Sequence, residues 1–201
     1  MWNKAFFIGD HPALDFLNSI AAPQGEVVEF IADGFAYLTW LAQADLLDPA
    51  EIQKLPDKLG RTALDKVASE ARELREWFRQ VITNRSSTKT RWRATEEIAK
   101  LNPILATDCS YRQLEEVSKR LRVRETREFT RARQLLLPLV QAIAEFVADS
   151  DQALTKRCAN PHCTLWFYDR SKAHRRRFCS AAVCGNRAKV AAFRKRQSQP
   201  N

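Results

Sequence analysis

Residues 158–187 read CANPHCTLWFYDRSKAHRRRFCSAAVCGNR. The stretch holds two cysteine pairs, Cys158 with Cys163 and Cys179 with Cys184. Four residues separate the members of each pair, and fifteen lie between the pairs. Zinc takes four tetrahedral ligands, thiolates are good ones, and two close pairs limit the entropy of gathering them. The pattern therefore predicts one structural Zn2+ held by Cys158, Cys163, Cys179 and Cys184. Disulfides, or a variant site drawing on His162 or His174, are the alternatives. Four sulfur ligands leave no open position for water, so such a metal is structural rather than catalytic. A module of about 40 residues buries too little surface to stand alone, and coordination supplies the missing folding free energy.

Working outward, TLWFYDRS between the pairs reads as a strand with Trp166 and Tyr168 on one face and Phe167 on the other. Residues 181–196 read as a helix whose start is bracketed by the second pair. Knuckle, short β-hairpin and helix together predict a treble-clef-like zinc module. On the helix, Val183, Val190 and Phe193 are expected to form an inward stripe, with Lys189 and Arg196 on a nearly opposite face. Arg187 lies near the Val190 side and is expected to be structural. Asp169 is expected to pair with Arg187 or to cap a local amide.

The charge is lopsided. Of 33 basic and 24 acidic residues, 12 basic and a single acid, Asp169, fall from Lys156 onward. The first 155 residues are thus net −2 and the tail net +11. A polyanionic partner meets the tail. The candidate phosphate contacts are Arg175, Arg176, Arg177, Lys189, Arg194, Lys195 and Arg196, so DNA is the expected partner.

The rest of the chain reads as mainly α. Residues 62–82 carry Leu64, Val67, Ala71, Leu74, Phe78 and Val81 along one stripe and should form a wall of the core. Asp33 can cap a helix bearing Phe35, Leu38, Trp40 and Leu41, and Asp48-Pro49 is a second start signal. A shorter helix runs from about Thr95 and should break near Asn102 and Pro103. Residues 111–129 favour a short hairpin over an exposed helix. Residues 131–148 are helical, with Pro138 as kink or early turn. Within the opening AFFIGDHPALDFLNSI, His11, Asp15 and Asn18 could line an effector pocket or serve as caps and tethers. The boundary falls in ADSDQALTK, giving a helical domain at 1–152 and a basic zinc module at 153–201.

Absences matter too. No phosphate-cradling glycine loop, HExxH or Ser-His-Asp set is present, so no enzyme is expected. No segment reads as a signal peptide or membrane span, which points to the cytoplasm.

The segment CSAAVCGNRAKVAAFRKR resembles the CGNR zinc finger family, named for the tetrapeptide Cys184-Gly185-Asn186-Arg187. The likeness continues through RCANPHC, F-Y-DRS and RRRFCS, and GDHPALDFLNS is similar to the opening motif of the ABATE domain. The resemblance implies a bacterial, stress-induced transcriptional regulator with a DNA-binding finger and these four cysteines as zinc ligands. A small-molecule effector and a homodimer would suit the helical domain. The competing reading is a zinc-stabilised protein-interaction or RNA-binding module.

Overall fold

The computed structural model describes residues 4–22, 26–87 and 95–197. The polar loop expected after the long helix lies partly outside them. Helix α1 (Pro12–Leu17) opens the fold and is followed by the short antiparallel pair β1 (Ile20–Ala21) and β2 (Val28–Glu29). Helices α2 (Gly34–Gln43), α3 (Pro49–Ile52), α4 (Leu55–Leu59) and α5 (Arg61–Ser87) come next, then α6 (Thr95–Leu105). An antiparallel ribbon of β3 (Ser110–Val117) and β4 (Arg120–Arg127) leads through a 3-10 turn into α7 (Leu137–Asp149). The C-terminal module contains β5 (Thr155–Arg157) paired with β6 (Trp166–Tyr168), then α8 (Asn186–Gln197). The architecture is mainly α with small antiparallel pairs.

The start signals act as read. Asp33 accepts the Ala36 amide at α2, and Asp48 accepts the Ala50 amide ahead of Pro49 at α3. The α5 stripe buries Leu64, Val67, Ala71, Leu74 and Phe78, and α2 contributes Tyr37, Leu38, Trp40 and Leu41 to the same core. The two helices approach so closely at Gly34 that an added Cβ would lie 2.5 Å from the Leu64 Cβ. Tyr37 donates its buried hydroxyl to the Leu135 carbonyl at 2.7 Å, tying α2 to the turn before α7. Arg75, on α5, is 2% exposed, and its guanidinium binds Glu29 through two nitrogens at 2.8 and 2.6 Å and the Ser19 hydroxyl at 2.8 Å. That network clamps the β1–β2 pair onto the wall.

One local alternative is decided and one expectation changes. Pro138 sits in the first turn of α7, where its missing N–H has no intrahelical partner to lose, so the helix starts there instead of kinking. Helix α6 runs through Pro103 to Leu105 rather than breaking at Asn102. Pro103 falls in the last turn, where it removes one helical bond, and burial of Leu101 and Ile104 holds that turn against the core.

Candidate metal centre and nucleic-acid interface

The first knuckle follows directly from β5. The Cys158 amide donates to the Leu165 carbonyl at 2.9 Å and the Cys163 amide to Asn160 at 3.0 Å, which folds residues 158–163 back on themselves. The second pair is brought in by the Cys179 amide, which donates to the Cys158 Sγ at 3.4 Å. Cys184 is carried on a π-type turn over Ala181–Gly185, started by Ser180, whose hydroxyl accepts from the Val183 amide. All four cysteines are buried, and their Sγ atoms lie within 4.8 Å of one another.

This geometry decides between metal and covalent bridging. Sulfurs at about 2.3 Å from a tetrahedral zinc lie ~3.8 Å apart. Cys163 and Cys179 are separated by 3.8 Å, and none of the four is in a disulfide. His162 and His174 are not part of the cluster. A hydrogen bond with Cys179 holds the Cys163 pKa well below the ordinary thiol range, and the same hydrogen bond pushes Cys179 up; burial raises Cys184. Four thiols this close cannot all ionise without a cation between them. The Asn160 amide also donates to the Cys184 Sγ at 3.5 Å, as a thiolate acceptor favours. The residues present therefore fit one structural zinc ion.

An apolar shell of Leu165, Phe167 and Phe178 surrounds the sulfurs, and Phe6, Ile8 and Ala21 complete it from the opposite end of the chain. The alternation read in TLWFYDRS explains the coupling: Phe167 faces the metal shell, whereas Trp166 and Tyr168 pack into the helical core. Backbone bonds reinforce the seam, with the Tyr168 amide on the Gly9 carbonyl at 2.8 Å and the Ala22 amide on the Thr164 hydroxyl at 2.9 Å.

Of their two readings, cap and tether is the one the structure supports for His11, Asp15 and Asn18. Neutral His11 caps α1 by accepting the Ala13 amide on Nδ1 and lays its ring edge against Phe146. Burial, with help from Arg170, lowers its pKa and so keeps that lone pair free. Asn18, 1% exposed, accepts the Trp166 amide at 2.8 Å and donates to the Trp166 carbonyl at 2.9 Å, imitating a paired strand. Asp15 accepts the Gly9 amide at 2.7 Å.

Burial raises the Asp15 pKa to about 6, opposed by the amides of Gly9 and Ile8 and assisted by the Asp10 charge. Between roughly pH 4 and pH 6 the folded chain thus holds a proton that the unfolded chain releases, so stability falls as pH rises through that window. Asp15→Asn keeps an acceptor for Gly9 and removes this dependence. Urea melts at pH 4, 5, 6 and 7 should show the variant gaining on the parent by on the order of 1–2 kcal/mol towards neutral pH. Parallel curves for the two proteins would refute it.

Asp169 is fully buried and takes Lys156 Nζ at 2.6 Å, the Ser171 hydroxyl at 2.5 Å and the Arg176 amide at 2.9 Å. Its cation is Lys156, where the sequence pointed to Arg187; its amide partners are the local ones expected. Those bonds outweigh burial and hold its pKa well below the carboxylate range. Arg187 is exposed at the start of α8, lining a cleft with His162, Arg177 and Ala188.

The cations divide. Arg175, Arg177, Lys189, Arg194 and Arg196 are exposed, and the side chain of Lys195 lies outside the described ones. Arg176 does not belong with them. It stacks on Phe167 with its guanidinium carbon 4.3 Å from the ring centre, donates to the Cys179 and Phe178 carbonyls, and pairs with Asp10. It is a structural bolt between metal shell and N-terminal segment.

The expected inward stripe of α8 is also corrected. Val183, Val190 and Phe193 are 43%, 48% and 54% exposed. Cys184 must point at the metal, and that rotation sets the small residues Gly185, Ala188 and Ala192 beside Phe178 and Arg176, with the bulky apolar residues on the far side. Helix α8 consequently stands off the body, with cations and apolar groups interleaved around it.

Against known families, the CGNR zinc finger model matches residues 155–197, and the ABATE model, described as "Putative stress-induced transcription regulator", matches residues 10–150. The chain belongs to the ABATE family. No curated protein matches it. Regulatory domain and zinc module together make this ABATE chain a regulatory zinc-binding protein, and no helix among its described residues is long and apolar enough to cross a membrane. The two matched regions meet in the seam held by Asn18, Ala22 and Arg176, so the ABATE domain and its finger share packing rather than hanging on a free linker.

Proposed function

We propose that this ABATE protein is a transcription regulator that binds duplex DNA through its finger, without enzymatic activity, in a stress-responsive role in the bacterial cytoplasm and nucleoid. The observation that carries the reading is α8: a twelve-residue helix fixed at its start by a buried metal ligand, exposed at all its described side chains but the half-buried Ala188, and carrying Lys189, Arg194 and Arg196. Such a helix is ~18 Å long and fits a major groove about 12 Å wide. Arg175 and Arg177 add exposed charge from the loop before the second knuckle. A cleft of about 350 Å³ at the seam, lined by Ile20, Val27, Arg79, Arg157 and Trp166, is where a small effector would couple the ABATE domain to the finger.

The test is fluorescence anisotropy on duplex DNA across a salt series. Each lost phosphate contact lowers the slope of log K against log salt by about 0.9. Lys189→Ala with Arg194→Ala should therefore lower it by about 1.8 and weaken binding across sequences. Arg176→Ala should instead lower thermal stability. Salt-insensitive binding, or a preference for RNA or a protein over duplex, would reject the reading in favour of an interaction module.

A further inference from the structure

The β3–β4 ribbon has no buried residue in either strand. Its register sets Leu114 opposite Val123 and Glu116 opposite Leu121, and strand alternation places all four on one face with Arg112 and Glu125. On that face Leu114, Val123 and Leu121 are 63%, 67% and 69% exposed. The other face is the one tied to the helical body: Arg124 reaches Asp48 and Glu51 of α3 at 3.3 and 3.8 Å. The apolar face therefore points away from the molecule.

An isolated two-stranded ribbon is marginal in water. This one also turns through Ser118 and Lys119, both at positive φ (53° and 62°) and neither a glycine. Such a turn favours glycine or asparagine, and each side chain there costs roughly 1–2 kcal/mol. Sixteen strand residues in unbroken register over a strained turn, with no core of their own, call for a cover on the exposed face.

We propose that the cover is a second copy of this chain, packed face to face on the ribbon about a two-fold axis. The charges select this occupant. Leu114 and Val123 form the central pair, with Arg112 and Glu125 one pair to one side and Glu116 and Leu121 one pair to the other. Setting two ribbons with their ends reversed puts Arg112 of each copy against Glu116 of the other. Setting them with ends aligned puts Arg112 against Glu125 of the other. Either two-fold buries the leucine and valine side chains together and gives Arg112 of each copy a carboxylate, while the second glutamate falls beside Leu121 at the solvated rim. A nucleic acid would meet Glu116 and Glu125 and be repelled. The assignment does not depend on DNA binding; it concerns the protein alone.

Sedimentation of the full-length, zinc-loaded chain without DNA tests it. The wild type should sediment at twice the chain mass at high concentration and dissociate on dilution. Leu114→Glu with Val123→Glu should leave a monomer of unchanged helical circular dichroism and zinc content, because both side chains are exposed in the single chain and touch neither core. Arg112→Glu should also abolish the dimer, and adding Glu116→Arg and Glu125→Arg should restore it. A wild type that stays monomeric, a dimer that survives the Leu114 and Val123 changes, a failure of the charge swap to rescue, or open-ended assembly through the strand edges would each overturn the proposal.

Discussion

Cys184→Ala releases the zinc ion and unfolds residues 155–197 while the helical core keeps its fold. The size of the effect follows from what the metal replaces. Structural zinc contributes about 10–16 kcal/mol of apparent free energy in small fingers. The apolar shell around these sulfurs is a handful of side chains, some from the far end of the chain. Removing one sulfur leaves a site that binds the ion weakly and three crowded thiols that repel one another when ionised. Metal analysis should fall from one zinc per chain towards none. Hydrogen exchange should show β5, β6 and the turn before α8 losing protection together, with residues 5–8 loosened beside them because Phe6 and Ile8 pack on the same shell. Leu64 and Phe78 belong to the other core, and their helix should stay protected, whereas the end of α7 should loosen where Phe146 loses Tyr168. The DNA affinity proposed for α8 should disappear in the same variant. Retained zinc, or unchanged protection of β5 and β6, would show that the four sulfurs do not hold the module together.

Asn18→Leu is the second large effect. The substitution keeps the volume but strips both partners from Trp166, leaving a buried amide N–H and a buried carbonyl unpaired. Each such group costs about 1–3 kcal/mol, so the loss should be about 4 kcal/mol and the melting temperature should fall by roughly 10 °C. Asn18→Asp should fall between the two, since the carboxylate still accepts the Trp166 N–H but cannot donate to its carbonyl. The pattern separates a tether from a ligand contact. A ligand contact would leave the melting temperature of the free protein in place, and that outcome would sink the account.

The two variants also show where sequence reading reached and where it stopped. Ligand spacing is a local property, so the zinc centre was legible: four cysteines in two close pairs have few other ways to be buried near so much positive charge. The start signals at Asp33 and Asp48 and the α5 stripe were legible for the same reason, because capping and periodicity act within a few residues. The ribbon was only half legible. Alternation was present in residues 111–129, but Ser118-Lys119 lacks the glycine or asparagine that marks a tight hairpin.

What the amino-acid order determined by itself is the metal centre, the helical class and the segregation of charge into the tail, each of which depends on neighbours along the chain. The tertiary structure decided which partner each side chain takes, as when Asn18 meets Trp166 across 148 residues. It made Asn18 a tether and His11 a cap, turned Arg176 from a phosphate contact into a bolt on Phe167, gave Asp169 to Lys156, and faced Val190 and Phe193 outward. Two physical reasons cover these outcomes. A polar side chain's role is set by which backbone groups packing leaves unpaired beside it, and a helix's inward face by the one residue that must reach the metal.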